Sequence, residues 1–287
     1  MIPLDFDYAR PATVAEALGL LATPGAIALA GGQTLLPLLS ERGVEPTLLV
    51  DIGRLSDLRG VGVADGVLTI GAGATLTDAM SPVVADAAPL LFEALPSVGS
   101  LAVRNRGTLV GNLVRASPSS ELPVVMVALG ARFVLRSTEA ERVVEAEAFF
   151  VDAHETALRP GELVTAIRIP IEPRESVASA FAEISSRAGA PPLCCVAALL
   201  TVEDDSVVRE ARIAAGGLSG APTRCVAFEA AAVGHPLSEC AARMAGIDDL
   251  PPASLDLPEA DYARDVLPVL VGRAVSKAAA RFMERQA

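Results

Sequence analysis

Short apolar runs, separated by turns that contain glycine and aspartate, cover the first part of the chain. Runs at 26–30, 47–52 and 67–71 have the length and apolar content of buried strands. Thr13 and Glu16 have the spacing of a capping box, which predicts a helix that begins there and continues to Leu21. This alternation of helices and strands predicts α/β units.

Longer apolar segments follow after residue 80. Residues 82–95 predict one helix, and residues 133–136 predict a strand. Residues 122–129 are apolar throughout, so their periodicity does not distinguish a helix from a strand. This part of the chain fits two α/β subdomains with a cleft between them.

A polar segment that contains proline, residues 172–176, marks a domain boundary. It separates two predicted domains, 1–172 and 177–287. In the second domain, residues 193–202 and 207–215 predict a hairpin around the turn Glu203-Asp204-Asp205-Ser206. Helices are predicted at 226–232, 238–245 and 262–285. The second domain is therefore expected to have a three-stranded antiparallel sheet backed by helices, which makes the chain an α+β protein.

Two glycine-bearing segments carry the most distinctive chemistry. Glycine lets the main chain approach a diphosphate closely, so that backbone N–H groups can bind its oxygens. Neither segment matches the nucleoside-triphosphate fingerprint, because the chain has no Gly-Lys-Ser/Thr, and Gly71-Ala72-Gly73-Ala74 lacks the third glycine of the dinucleotide fingerprint. The segments are either two holding points for a diphosphate or ordinary turns. They are Ala30-Gly31-Gly32-Gln33-Thr34-Leu35 and Arg104-Asn105-Arg106-Gly107-Thr108-Leu109-Val110-Gly111-Asn112.

The charge of the chain limits its partners. The 287 residues carry a formal net charge of −12 at pH 7, which repels nucleic acid and anionic lipid surfaces. No lysine–arginine run reverses this repulsion locally, so neither nucleic acid nor a membrane is an expected partner. An anionic cofactor must therefore be held by oriented backbone dipoles. Arg104 and Arg106 either assist in this or are solvated at the surface.

Targeting and membrane signals are not visible in the sequence. The N-terminus has neither a basic start nor a continuous apolar stretch, so we expect a cytoplasmic protein. The longest uncharged interval, 17–40, contains Pro24, Gly25, Gly31 and Gly32 in its middle. It is interpreted as two buried elements and a loop.

The four cysteines and two histidines do not form a recognisable metal motif. Cys194 and Cys195 are adjacent in a predicted strand, where successive side chains point to opposite faces. No Cys-x-x-Cys spacing is present to hold zinc or an iron–sulfur cluster. The thiols are expected to be small buried groups, and Phe149 and Phe150 are expected to pack a core. No metal site is predicted, and no catalytic residue is assigned.

The order of several motifs resembles that of one family, the FAD-binding medium subunits of molybdenum hydroxylases. This family includes the flavoprotein subunits of aerobic carbon monoxide dehydrogenase and bacterial xanthine dehydrogenase. The similarity covers nearly the whole chain. The motifs are Ala30-Gly31-Gly32-Gln33-Thr34-Leu35, Val50-Asp51-Ile52, Ile70-Gly71-Ala72-Gly73-Ala74-Thr75, Val103-Arg104-Asn105-Arg106-Gly107-Thr108, Gly111-Asn112, Glu121-Leu122-Pro123, Pro160-Gly161-Glu162-Leu163, Arg187-Ala188-Gly189 and Gly216-Gly217.

The resemblance implies a fold and a set of ligand-binding residues. The implied fold is the two-subdomain FAD-binding fold of vanillyl-alcohol oxidase-like flavoproteins, followed by a C-terminal domain. The chain differs from the family at Val110, where a glycine is usual, at Glu183, where a lysine is usual, and at 190–192. The residues implied to bind FAD are Ala30, Gly31, Gly32, Gln33, Thr34, Leu35, Thr108, Gly111, Asn112, Glu121 and Leu163.

Two functions follow from this resemblance. In the first, the chain is an electron-transfer subunit whose FAD accepts electrons from the iron–sulfur centres of a small subunit, while a large molybdopterin subunit oxidises the substrate. In the second, the chain is a stand-alone FAD-dependent oxidoreductase that acts directly on a small molecule. A flavin-binding relative that has lost redox function is a third interpretation.

Overall fold

A small parallel sheet begins the fold. The structure is a computed structural model that describes residues 5–203, 205–248, 250 and 260–286. The strands lie in the order β1-β3-β2, and both neighbouring pairs are parallel. The predicted helix is confirmed: Thr13 Oγ1 accepts a hydrogen bond from the Glu16 backbone N–H. The elements are β1 (Asp7–Ala9), α1 (Val14–Leu21), β2 (Ala26–Leu29), α2 (Leu35–Ser40) and β3 (Leu48–Asp51).

A second unit contains an antiparallel sheet of five strands. These strands lie in the order β4-β5-β10-β6-β7, and a separate pair is formed by β8 and β9. The unit comprises β4 (Val61–Ala64), β5 (Val67–Gly71), α3 (Leu76–Ala79), α4 (Pro82–Ala87), α5 (Pro89–Ala94), α6 (Leu101–Arg104), α7 (Leu109–Val114), α8 (Glu121–Ala128), β6 (Arg132–Arg136), β7 (Glu141–Glu145), α9 (Ala146–Phe149), β8 (Phe150–Asp152), β9 (Glu155–Thr156) and β10 (Leu163–Pro170).

One segment of this unit differs from the prediction, and the structure assigns another whose type the sequence left open. The single helix expected at 82–95 is two helices, α4 and α5, that meet at Ala88. Pro89 causes this break, because proline has no N–H to donate and disfavours helical backbone at the preceding residue. The ambiguous run at 122–129 is helix α8, whose eight residues are all buried.

The C-terminal part is an antiparallel sheet backed by helices. Its strands lie in the order β11-β12-β13-β14. The three long strands match the prediction, and β14 adds a fourth strand of two residues. In the predicted turn, Asp204 lies outside the described residues. The elements are β11 (Val177–Ser185), β12 (Pro192–Val202), β13 (Val208–Gly216), β14 (Thr223–Arg224), α10 (Val226–Ala232), α11 (Cys240–Arg243) and α12 (Ala260–Gln286).

Strand β12 separates two hydrophobic cores. Along this strand, Cys195, Ala197 and Leu199 belong to the core of the N-terminal part, whereas Cys194 and Val196 belong to the core beneath α12. The two cysteines therefore face opposite sides, as the alternation of side chains along a strand predicts. Burial raises the pKa of the Cys194 thiol to about 11, so it stays protonated at neutral pH.

An aromatic cluster packs the interior of the five-stranded unit, and a carboxylate links that unit to the C-terminal part. The rings of Phe133 and Phe149 stack with centroids 3.8 Å apart, and Phe150 meets both edge-on, which confirms the expected core role of Phe149 and Phe150. Glu93 on α5 accepts hydrogen bonds from the Phe181 backbone N–H and from Arg281. This carboxylate therefore links the N-terminal part to both β11 and α12.

Candidate functional site

The two glycine segments meet in the folded chain. A methyl group placed on Gly31 would lie 2.1 Å from the carbonyl oxygen of Arg106 and 2.7 Å from the Cα of Gly107. No side chain fits at that distance, so Gly31 allows the direct backbone contact. Gly32 adopts a φ of +72°, a conformation that glycine favours. The spacing along the chain did not reveal this contact.

The second segment is also fixed to its own unit. The backbone N–H of Leu76 donates to the carbonyl oxygen of Gly107, and that of Leu109 donates to Ala74. Thr108 caps α7, because its Oγ1 accepts a hydrogen bond from the Gly111 N–H at 3.0 Å. The second segment is thus fixed to its own unit, and its contact with Gly31 makes the two segments one continuous wall.

This wall lines a cleft between the parallel-sheet unit and the five-stranded unit. The cleft encloses about 1410 Å³ of empty space, counting its open mouth. Ten of the eleven residues predicted from the sequence line it, and they are Ala30, Gly31, Gly32, Gln33, Thr34, Leu35, Thr108, Gly111, Asn112 and Leu163. The glycine segments are thus part of one site and are not two unrelated turns.

The cleft has few polar side chains, and they differ in whether they are free to hydrogen-bond a ligand. The Thr34 hydroxyl makes no capping bond to α2 and has no hydrogen-bond partner among the described residues. Asn112 Oδ1 accepts a hydrogen bond from Ser120 Oγ at 3.0 Å, which orients the Asn112 amide so that its NH₂ group is left to donate. Gln33 donates weakly to the carbonyl oxygen of Gly31 at 3.4 Å.

The opposite wall consists of residues that periodicity did not identify. It contains Ala26, Ile27 and Ala28 from β2 and the segment 158–164 that leads into β10. Val110 and Val114 add apolar surface from one face of α7, at the four-residue spacing of a helix. The apolar wall suits a flat aromatic group better than a charged one.

The carboxylate of Glu162 also lines the cleft, but its charge is neutralised. Arg142 donates two hydrogen bonds of 2.7 Å to its two oxygens, and the Arg159 backbone N–H donates a third. The hydrogen bond from Arg142 is the main cause of the lowered pKa of Glu162. The ion pair therefore reduces the repulsion that this carboxylate would exert on an anionic ligand.

Glu121, the eleventh predicted residue, does not line the cleft. It lies at the start of α8 with 4% of its surface exposed. Burial raises its pKa to about 7, and the nearby Glu183 carboxylate adds to the rise. Burial also raises the pKa of Glu183, whose Oε2 is buried without a hydrogen-bond partner in the described part of the chain. Glu121 is connected to the cleft through its neighbour Ser120, which contacts Asn112.

This buried carboxyl group predicts a pH dependence of stability. Because the pKa of Glu121 is about 7 in the folded chain and 4.5 normally, its protonated form favours folding. That contribution is fully present below pH 4.5 and is lost as the pH rises through 7. When the pH rises from 5 to 8, the free energy of unfolding of Glu121→Gln should fall by about 2 kcal/mol less than that of the original chain. Urea unfolding at both pH values measures this, with the exposed Glu155→Gln as the control, and equal losses in all three proteins would contradict it.

The two arginines of the second segment have different roles. Arg104 Nη1 donates to the carbonyl oxygens of Pro96, Val98 and Gly99, at 3.1, 3.2 and 2.6 Å. It therefore fixes the loop before α6 and is neither a solvated residue nor a ligand of the cleft. Arg106 is exposed on the outer side of the segment, away from the cleft.

The described part of the chain shows neither a cluster of metal ligands nor a membrane-spanning helix. Within the described ranges, His, Cys, Asp and Glu side chains nowhere gather in groups of three or more that could hold a metal ion. None of the helices in the described part of the chain combines the length and apolarity that crossing a bilayer requires.

Comparison with known proteins assigns the chain to a family. Residues 4–172 match the FAD binding domain in molybdopterin dehydrogenase, and residues 179–278 match the CO dehydrogenase flavoprotein C-terminal domain. The chain belongs to the FAD-binding medium subunits of the molybdenum hydroxylases. The resemblance that the sequence motifs indicated is thereby confirmed, together with its fold.

Individual members of the medium-subunit family are similar along most of the chain. The caffeine dehydrogenase subunit beta of Pseudomonas sp. (strain CBB1) is 38% identical over 83% of this chain and 81% of its own. The 6-hydroxypseudooxynicotine dehydrogenase complex subunit alpha of Paenarthrobacter nicotinovorans is 35% identical over 97% of this chain and 96% of its own. Among solved structures, a chain of carbon monoxide dehydrogenase from Hydrogenophaga pseudoflava superimposes with a TM-score of 0.89 at 31% identity, covering 98% of this chain and 99% of that one.

Proposed function

We propose that this chain is the FAD-carrying electron-transfer subunit of a molybdenum hydroxylase complex. Its FAD would receive electrons from iron–sulfur centres on a small subunit and pass them to an acceptor, while a large molybdopterin subunit oxidises the substrate. The observation that carries the proposal is the scarcity of ionisable groups in the cleft. Of the described residues that line it, only Arg159 and Glu162 ionise, and Glu162 is paired with Arg142.

The cleft suits FAD on three grounds. Its glycine wall joins two glycine-bearing loops, which touch because Gly31 has no Cβ to hold Arg106 and Gly107 away, and the backbone N–H groups of such loops can bind a diphosphate. The Thr34 hydroxyl and the Asn112 amide are available as donors. The apolar wall opposite can contact a ring system. We propose that FAD is bound by the ten predicted residues that line the cleft, and that Glu121 acts on it only through Ser120 and Asn112.

The division of labour follows from these residues. Bound FAD would supply the redox chemistry, and the chain would bind it, orient it and limit the access of water. Direct oxidation of an organic molecule usually requires a positioned acid or base, and the described cleft residues offer no unpaired candidate except the guanidinium of Arg159. This absence favours electron transfer over the stand-alone oxidoreductase.

Two further predictions accompany the proposal. We propose domains at 1–172 and 177–287, which the spans of the two family matches support. We also propose a cytoplasmic location.

A binding and turnover experiment tests the proposal. The purified chain is expected to bind FAD in preference to FMN, because only FAD has the diphosphate that the glycine wall contacts, and acid should release it unchanged. With organic substrates the lone chain should give no turnover, whereas adding the iron–sulfur and molybdopterin subunits of its complex should restore it. Flavin absorbance in a stopped-flow instrument measures both states. Turnover by the lone chain would establish the stand-alone oxidoreductase instead.

A further inference from the structure

A second groove adjoins the cleft at the glycine wall. It shares Ala30, Gly31, Gly32 and Thr108 with the cleft. We call it the arginine groove, after three of the side chains that line it. Its lining includes Tyr8, Leu36, Asp51, Arg54, Arg59 and Arg106.

The arginine groove is positively charged within a strongly negative chain. Asp51 is the only carboxylate among its described lining residues, and its oxygens accept hydrogen bonds from the Tyr8 hydroxyl at 2.5 Å and the Gly53 N–H at 2.9 Å. Arg10 lies 3.8 Å from the same carboxylate. Asp51 is therefore committed to local partners and does not neutralise the three arginines of the groove.

Two of these arginines have guanidinium groups without a hydrogen bond or ion pair in the described part of the chain. The side chains of Arg54 and Arg106 are exposed, and neither guanidinium donates to a described residue. Arg59 differs, because it donates to the carbonyl oxygen of Gly53 and packs its stem near Gly73. Unpaired arginines on a chain of charge −12 attract acidic groups from outside the chain.

The exposure of the groove favours a protein over a small anion. A small anion needs convergent donors that are shielded from water, whereas Arg54 and Arg106 stand in solvent. Beside them, Tyr8 and Leu36 are 52% and 48% exposed. Exposed tyrosine, leucine and arginine together form the mixture of apolar and charged surface that protein interfaces use.

We propose that the arginine groove docks a carboxylate-rich face of the subunit that delivers electrons to the flavin. This inference rests on the proposed function. A partner seated there would contact residues of the glycine wall that also line the proposed FAD cleft. Charge attraction would raise the rate of association and orient the partner toward this face.

Charge reversal with matched controls tests the docking surface. The single variant Arg54→Glu and the double variant Arg54→Glu/Arg106→Glu are compared with Arg264→Glu/Arg273→Glu. The control pair lies exposed on α12 and changes the net charge by the same amount as the double variant. Binding to the iron–sulfur subunit and to the molybdopterin subunit, each purified from the native complex, is measured separately at low and moderate salt.

We expect the double variant to bind the iron–sulfur subunit at least about tenfold more weakly, with a reduced dependence on salt, and the α12 variant to bind normally. FAD affinity, measured in each protein, reports whether the cleft is intact, and Arg54→Glu should leave it unchanged. Normal binding by the groove variants would overturn the docking site, as would a loss confined to the molybdopterin subunit. If the unchanged chain fails to bind the iron–sulfur subunit, the proposed function itself is wrong.

Discussion

Gly31→Ala should weaken FAD binding by at least about 100-fold. The added methyl would meet the carbonyl oxygen of Arg106 at 2.1 Å, and neither backbone can give way without movement of its segment. In the free variant the two glycine segments would separate to relieve this contact. Binding FAD would require them to close again, at a cost of about 3 kcal/mol for overpacking, which corresponds to about 100-fold in affinity. Quenching of flavin fluorescence during titration measures the dissociation constant.

A control variant separates this effect from a general loss of stability. Gly217→Ala also places a methyl close to a backbone oxygen, 2.2 Å from that of Leu193, but in the C-terminal part and outside the cleft. Its φ of +101° adds strain, so it should lower the free energy of unfolding at least as much as Gly31→Ala. FAD affinity should nevertheless stay near that of the unchanged chain. If Gly31→Ala binds FAD as tightly as the unchanged chain does, the first glycine segment is an ordinary turn.

Glu229→Ala is expected to cause the largest loss of stability. The Glu229 carboxylate is buried, and it accepts hydrogen bonds from the Ile213 N–H at 2.7 Å and from Arg224 Nε and Nη2 at 2.5 and 2.8 Å. Removing it leaves the buried Ile213 N–H without its acceptor and takes two hydrogen bonds from the half-buried Arg224 guanidinium, which keeps Glu147 and the Ala211 carbonyl oxygen as partners. We expect a cost of about 3 kcal/mol, the lower end of the range for breaking a buried ion pair, because Arg224 keeps these partners. Urea unfolding of the purified chain measures the change.

An exposed ion pair provides the comparison. Glu239 and Arg243 lie four residues apart with an N–O distance of 3.1 Å, and both side chains are exposed. Glu239→Ala should cost less than about 1 kcal/mol, because solvent screens such pairs. A double variant, Arg224→Ala/Glu229→Ala, should regain part of the loss caused by Glu229→Ala, since the half-buried guanidinium that lost two of its hydrogen bonds is no longer present. A loss below about 1 kcal/mol in Glu229→Ala would contradict the role assigned to this carboxylate.

Short sequence patterns predicted the elements that are set by residues close together in the chain. The capping residues of α1, the hairpin of β12 and β13, and the opposite orientation of Cys194 and Cys195 all follow from short spacings in the sequence. The break at Ala88 was predictable in principle from Pro89, but the apolar periodicity that continues across it outweighed the proline. Helix α8 could not be assigned, because a segment buried on every side has no polar face to reveal its period.

The candidate site required contacts between distant segments. The glycine segments were recognisable as backbone that can approach a ligand closely, yet only the fold brings Gly31 against Arg106. In the wall formed by residues 26–28 of β2 and by 158–164, the apolar run predicted only a strand, and Leu163 was identified only through the family resemblance. Glu121 shows the converse: it occupies the position that the family pattern indicates, but the folded chain turns it away from the cleft and into the interior.

Because β12 belongs to both hydrophobic cores, its position limits how the two parts of the chain can recombine during evolution. One face of the strand completes the core beneath α12, and the other face packs on α8 in the core of the N-terminal part. The boundary near residue 172 therefore divides the sequence but does not divide the packing. A C-terminal part taken from another family member would bring a foreign surface against α8, so recombination at this boundary must preserve Cys195, Ala197 and Leu199 or replace α8 together with them.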